Sequence, residues 1–310
     1  MEKQNSSIFN FSIFLLKTLI ATIIFGVTFS LIFEKLIINT SQTIGASKIN
    51  RLLTLEQTKE IPIFGSSRAE CSFLPSIIGS EFYNYGISGT QSNIWLYLLE
   101  QELKKNKTTA IIINFDLIGL VSSDGNISNY IPHWNKSKHI IENKGEFYYN
   151  IPFIKYFGLY EQYFASYIQE KKNLTITTDN GAILQKNKQT KEMFESLVIK
   201  RRGAKVESKI NNELSTKFDL LINSTERPIV LIISPYHISC FNKNANFDKS
   251  YDYLNKLEKN KNITVLDLKD FVKDDDLFMN TTHLNHEGAI IFSKKIKELL
   301  TTMNIGHLAN

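Results

Sequence analysis

Two rhythms of apolar and polar residues divide this chain. From Phe11 to Phe33 the residues are almost wholly apolar, and Thr18 to Phe33 carries no charge. At ~1.5 Å per residue, such a helix crosses a bilayer core of about 30 Å. The rival readings are a buried helix of a soluble domain and a cleaved signal peptide. The stretch closes on Leu31-Ile32-Phe33-Glu34-Lys35 without a small-residue cleavage site, which favours an uncleaved anchor. Lys17 lies near one edge, where its stem can snorkel to the headgroups. Thereafter the apolar runs are short: Ile61 to Phe64, Phe82 to Tyr85, Ala110 to Ile113, Pro228 to Ile233 and Ile263 to Leu266. Stretches with helical spacing separate them. Ile94, Leu96, Leu98, Leu99 and Leu103 form one set, Met193, Phe194, Leu197 and Val198 a second, and Tyr251, Leu254 and Leu257 a third. The last helix carries Ala289, Ile290, Phe292, Ile296 and Leu299, with Thr282 or Asn285 as its cap. Arg68 to Ile78 reads as a helix that Pro75 bends or ends. Short apolar strands alternating with helices predict a parallel sheet covered on both faces.

The predicted architecture is therefore α/β: a three-layer sandwich with a mostly parallel central sheet, preceded by one transmembrane helix. Residues 1–40 form the anchor, 41–57 a polar connector with a short helix, and 58–305 the α/β domain. An insertion over about 125–212 breaks the rhythm. It is rich in Tyr, Phe, Ile, Asn and Lys and includes Pro132, Trp134 and Pro152. Its aromatic residues either line a cleft for an acyl chain or a sugar, or pack the insertion onto the core. The segment from Leu174 to Gly181 is a turn or a small hairpin.

Composition narrows the classes. The 36 Lys and Arg against 31 Asp and Glu give a net charge of +5, spread along the chain in small groups with acidic or polar neighbours. That pattern argues against a nucleic-acid partner and suits a surface near anionic lipid or an anionic wall polymer. The two cysteines, Cys71 and Cys240, permit one bridge but do not require it, and free buried thiols are expected. No zinc-type ligand spacing occurs, and no cofactor is called for.

Candidate chemistry gathers where the predicted strands end, the place where sites form in open parallel sheets. Gly65-Ser66-Ser67-Arg68 follows the first strand, Gly86 to Thr90 the second, Asn114 to Asp116 the third and Ser234 to His237 the fourth. The late loop Asn280-Thr281-Thr282-His283 would join them. Ser67 is the candidate nucleophile and His283 the base that takes its proton. Asn280 can hold the imidazole in one tautomer but brings no negative charge, and Asp275 or Asp276 could supply a carboxylate instead. Backbone N–H groups at Ser67, Arg68 and Gly89 and the Asn114 side chain are candidate oxyanion donors. Arg68 reads equally as an ion-pair residue or an anion contact. His237 is either a structural residue or a substrate contact.

Gly65-Ser66-Ser67, Ile87-Ser88-Gly89 and His283 within Asn280-Thr281-Thr282-His283-Leu284-Asn285 together resemble the SGNH (GDSL-like) hydrolase superfamily. The Gly-Ser-Ser-Arg variant, Ser-Pro-Tyr-His and the single anchor look like its membrane-associated envelope branch, near teichoic acid D-alanyl-transfer and polysaccharide O-acetylation proteins. The resemblance covers roughly residues 59–300, with 125–212 unmatched. It implies an SGNH/flavodoxin-like fold and a serine esterase or O-acyltransferase acting on acyl groups of an envelope polysaccharide. Ser67 would be the nucleophile, His283 the base and Gly89 an oxyanion donor through its N–H. Implied partners are the lipid bilayer, an envelope glycan and a membrane-bound acyltransferase, with the C-terminal domain outside the cytoplasm. Lys3 and Lys17 against Lys35, Lys48 and Arg51 leave the orientation itself undecided. The family usually places Asp where Asn280 stands, and Gly-x-Asn-Asp where this chain has Asn114-Phe115-Asp116-Leu117.

Overall fold

The computed structural model describes residues 2–54, 59–122, 151, 153–172, 176–185 and 190–306. Trp134, Pro132 and Pro152 of the predicted insertion lie outside them. Helix α1 (Glu2–Phe33) continues into a π-helical turn (Glu34–Ile38), and Asn10–Ile38 is long and apolar enough to cross a membrane. Its large side chains, Phe14, Leu19, Ile23 and Phe25 among them, are exposed over most of its length.

Five strands, β1 (Ile61–Phe64), β2 (Phe82–Asn84), β3 (Ile111–Asn114), β4 (Ile229–Ile233) and β5 (Ile263–Asp267), form one sheet in the order β2-β1-β3-β4-β5. All four pairings are parallel. The apolar runs have no polar alternation because both faces are covered. Ile111 and Ile113 of β3, with Ile229, Leu231 and Ile233 of β4, face one cluster. That cluster includes α2 (Gly45–Thr54), α5 (Ser92–Leu103), α8 (Asn212–Asn223) and α9 (Asp248–Leu257). Ile112, Val230 and Ile232 face the other way, toward α3 (Ser67–Ser72), α4 (Pro75–Ile78), α7 (Lys191–Gly203) and α10 (His286–Thr302). α6 (Tyr160–Lys172) lies instead beside the lower end of α1.

Local chemistry explains several departures from the sequence reading. The stretch from Arg68 to Ile78 is two helices. Phe73 and Leu74 are extended, and Pro75 opens α4 at its first turn, where the missing N–H costs nothing. A second helix, α8, was not foreseen at the end of the insertion. α7 stops at Gly203, and Asn211 caps α8 by accepting from Leu214 N, so that Leu214, Phe218 and Ile222 reach the core. Ile176–Asp179 pairs with Ala182–Gln185 in a hairpin, while Leu174 and Thr175 lie outside the described residues. The predicted connector is not merely a tether: Ile49 and Leu52 of α2 are core residues and Lys48 is fully buried.

Phe292 is fully buried, and its ring meets that of Phe73 edge-to-face at 5.2 Å. Phe292→Ala is expected to lower the unfolding free energy by about 3–5 kcal/mol, measured by denaturant titration of the detergent-solubilised protein. A loss under about 1 kcal/mol would show that this face of the sheet does not carry the fold.

Candidate functional site

The order of the sheet reverses direction between β1 and β3, which opens a crevice beyond their carboxyl ends. The turn after β1 is steric in origin. Gly65 has φ +150°, and a Cβ there would stand 2.7 Å from Ala69 Cβ and 3.1 Å from Asn114 Cβ. Only glycine lets the strand turn this tightly into α3. Ser66 is the N-cap, its Oγ accepting from Arg68 N at 3.3 Å and donating to Asp116 Oδ2 at 2.7 Å. Ser67 is the first residue of α3, and its half-buried hydroxyl lies 2.8 Å from His283 Nε2.

His283 comes from the far end of the chain, on the short antiparallel pair Phe278–Asn280 with His283–Leu284. Asn280 Oδ1 accepts from the backbone N–H of Thr282 at 2.9 Å and of His283 at 3.0 Å. Two backbone donors identify this atom as the oxygen. His283 Nδ1 lies 3.0 Å from it and therefore carries the ring proton, with Thr282 Oγ1 also at 3.0 Å. Nε2 is left with a lone pair aimed at Ser67. The amide thus fixes the tautomer a general base requires, and it does so without charge. Burial, and secondarily the positive charge of Arg68, push the His283 imidazole down to about 4.

Neither nearby acid takes the place of Asn280. Asp275 Oδ1 lies 2.9 Å from His237 Nε2. Asp276 sits in an exposed turn where its backbone carbonyl accepts from Asn285 Nδ2. His237 is a buried strut: its Nδ1 accepts from Ser239 N at 3.2 Å, so its proton lies on Nε2 and is donated to Asp275. The structure places it on these partners and not on Ser67 or His283.

Arg68 is also an internal member. It is 5% exposed and pairs through Nε with Asp116 Oδ1 at 2.9 Å. One terminal nitrogen donates to Ser234 O and Oγ, both at 2.6 Å, and the guanidinium stacks on the Tyr236 ring at 3.2 Å from its centroid. The Arg68–Asp116–Ser66 chain ties the serine turn to the ends of β3 and β4. Asn114 is buried beside Gly65, with Nδ2 3.4 Å from Asp116 Oδ1 and no hydrogen bond to its Oδ1 among the described residues. Gly89 is exposed at φ +77°, with open space around it. Its backbone can therefore approach a ligand closely.

One pair eluded sequence reasoning. Lys48 Nζ donates to Glu70 Oε1 and to Gly86 O, both at 2.6 Å, with Lys48 wholly buried. Glu70 Oε2 accepts from Ser88 N at 3.1 Å and from Ser88 Oγ. The loop carrying Gly89 is thus fastened to α2 and α3 by one carboxylate. Lys48 lies in a polar stretch and Glu70 on a short helix, so no local signal marks either.

The cysteines are separate, buried and free. Burial, reinforced by Glu70, pushes the Cys71 thiol up to about 12, so it holds no thiolate at neutral pH. Cys240 Sγ donates to Thr281 O at 3.0 Å. Among the described residues, no group of three or more His, Cys, Asp or Glu side chains could hold a metal ion.

No family model matches the chain, and no curated protein matches it. Among solved structures it is similar to a Streptococcus pneumonia protein assigned provisionally as a platelet activating factor. The TM-score is 0.42 at 14% identity, over 87% of this chain and 96% of that one. A likeness this distant decides neither fold nor activity.

Two outcomes follow from the geometry. His283 must be neutral to take a proton, and its pKa is depressed. The acid limb of kcat/KM on an aryl acetate should therefore fall near pH 4 and not near 6.5. Asn280→Asp adds a negative charge at Nδ1, favours imidazolium and moves that limb upward, with kcat/KM rising about tenfold or more. An unmoved limb would reject Asn280 as the orienting group. Separately, Glu70→Gln leaves Lys48 buried without its counter-charge. It should cost about 3–5 kcal/mol in denaturant titration, and the Lys48→Met, Glu70→Gln double variant should recover most of that. No loss in the single variant would show that the pair does not fasten the loop.

Proposed function

We propose that this protein is a membrane-anchored, SGNH-type serine esterase or O-acyltransferase acting on acyl groups of a cell-envelope polysaccharide. On this reading the fold is the family's three-layer sandwich and the C-terminal domain lies outside the cytoplasm. The observation that carries the proposal is the Ser67 Oγ–His283 Nε2 contact of 2.8 Å, with the Nδ1 proton held by Asn280. The envelope polysaccharide comes from the resemblance of the serine, glycine and histidine blocks.

In the proposed reaction Ser67 Oγ attacks the ester carbonyl as His283 Nε2 takes its proton. The carbonyl oxygen becomes an oxyanion facing the backbone N–H groups of Ser67 and Gly89. Neither has a hydrogen bond to another described residue. When the tetrahedral intermediate collapses, the C–O bond to the leaving alcohol breaks, and His283 Nε2–H protonates that alcohol. Water or a sugar hydroxyl then loses its proton to His283 and attacks the acyl-Ser67 carbonyl, the bond from that carbon to Ser67 Oγ breaks, and His283 Nε2–H returns the proton to Ser67 Oγ. The imidazolium formed at each step meets an amide and a hydroxyl instead of a carboxylate, so this base is poised but weak. Asp116 acts indirectly, by holding Ser66 and Arg68.

The second reading is a non-catalytic envelope assembly protein that keeps the fold for binding. Asn280 is the observation that favours it. The test is a fluorophosphonate probe on the full-length protein, with peptide mapping of the adduct. Label on Ser67 is expected, and Ser67→Ala should abolish it without loss of thermal stability. His283→Ala should slow it by at least about a thousandfold, because the two groups act as a unit. An unlabelled wild-type Ser67 would favour the binding protein.

A further inference from the structure

The segment just before α6 turns back along the apolar anchor. Phe153 stands against α1: a Cβ on Gly26 would be 3.4 Å from Phe153 Cβ, and the Phe153 and Phe29 rings are 6.2 Å apart. Tyr160 meets Phe29 at 5.3 Å and Phe33 at 4.7 Å, while Tyr156 meets Phe33 at 5.6 Å. On the side of this cluster away from the core, large apolar side chains are bare. Phe153 is 42% exposed, Ile154 39%, Phe157 79% and Phe164 52%.

The depth of these contacts follows from the span. Asn10–Ile38 has 29 residues, whereas a bilayer core takes about 20 residues at ~1.5 Å each. Every window of about 20 residues inside that span contains both Gly26 and Phe29. Gly26 then lies about 3 to 12 residues, or ~5 to 18 Å, inside the hydrocarbon boundary on the domain's side. Phe153 touches Gly26 and shares that depth. The backbone nearby is suited to such a place. Ile154–Tyr156 is a 3-10 turn, Phe157 N and Leu159 N donate to Ile154 O and Tyr156 O, and Tyr160 Oη donates to Phe153 O at 2.8 Å. The half-buried Tyr160 and Tyr167 sit where the segment would rise through the interface, the level at which such rings concentrate.

We propose that the Phe153–Phe164 segment is a second membrane contact. It would dip beside α1 into the lipid leaflet on the domain's side, with Phe153 as its deepest contact and Phe157 as its most exposed apolar group. The partner is the acyl-chain region of the bilayer. The proposal rests on α1 spanning the membrane and is independent of whether Ser67 is catalytic. Its consequence is orientation. A single helix leaves a domain free to swivel, whereas two contacts hold it at one height and one face. α6 continues from this segment to the connector: Glu170 Oε2 accepts from Ser41 Oγ at 2.7 Å and from Gln42 N at 3.0 Å. The dipping segment and the anchor's exit are thereby one body.

The test places spin labels in full-length protein reconstituted into phosphatidylcholine–phosphatidylglycerol vesicles. Single-site variants are Phe157→Cys, Ile23→Cys on α1 and Leu220→Cys, an exposed position on α8. The native cysteines are buried, and mock-labelled wild type gives their background. The readout is collision with oxygen relative to a water-soluble nickel chelate. The Phe157 label is expected to lie in lipid but shallower than the Ile23 label, with an oxygen-to-nickel ratio several-fold above that at Leu220. A Phe157 label as aqueous as Leu220, with Ile23 in lipid, overturns the second contact and leaves the anchor standing. An aqueous Ile23 overturns both. Fluorophosphonate labelling of Ser67 on the same vesicles reports the catalytic reading separately.

Discussion

The chain can leave β1 and enter α3 only because residue 65 has no Cβ. Ala69 and Asn114 crowd that point from two sides, within 2.7 and 3.1 Å of where a Cβ would stand. The close approach brings the start of α3 against the end of β3. It thereby sets Ser66 over Asp116, Arg68 over Tyr236, and Ser67 toward the loop that delivers His283. Widening this turn would separate all three at once. The serine is presented by packing, and the hydrogen bonds around it register a position that sterics impose.

At both ends of the sheet the protein buries charge against charge. Lys48 with Glu70, Arg68 with Asp116, and Glu102 with Lys107 and Arg227 are each held within about 3 Å. Such pairs add little net stability over apolar packing, but breaking one leaves an uncompensated charge in a poor dielectric. Their value here is placement. Glu102 joins α5 to the segments entering β3 and β4, and Glu70 joins the anchor-proximal α2 to the loop that carries Gly89.

The imidazole is oriented by an amide within a half-buried loop. An amide oxygen accepts the Nδ1 proton and fixes the tautomer, but without a formal charge it stabilises the cationic ring less than a carboxylate would. Arg68 nearby works in the same direction and disfavours the cation further. The arrangement keeps a serine–histidine contact formed over a wide pH range while limiting its strength as a base.

The sequence by itself determined the long apolar N-terminal helix, the five strands and the turns at their ends, because each depends on local periodicity and turn chemistry. An apolar run of four or five residues bounded by Gly, Pro or Asn is read within its own window. The same is true of Gly65-Ser66-Ser67 and of the Asn280–His283 spacing, whose atoms meet within one loop. Tertiary structure alone decided the rest. Asp275, Asp276 and Asn280 were comparable partners for His283 on spacing, and the path of the chain gave Asp275 to His237. Lys48 looked like a connector lysine until the fold placed Glu70, 22 residues on, against it. α8 has apolar positions four apart, yet its start is set by Asn211 after two short strands that no local pattern marks. Periodicity specifies which face of an element is buried. It does not specify which element will cover that face, and every polar partner drawn from a distant element waits on that choice.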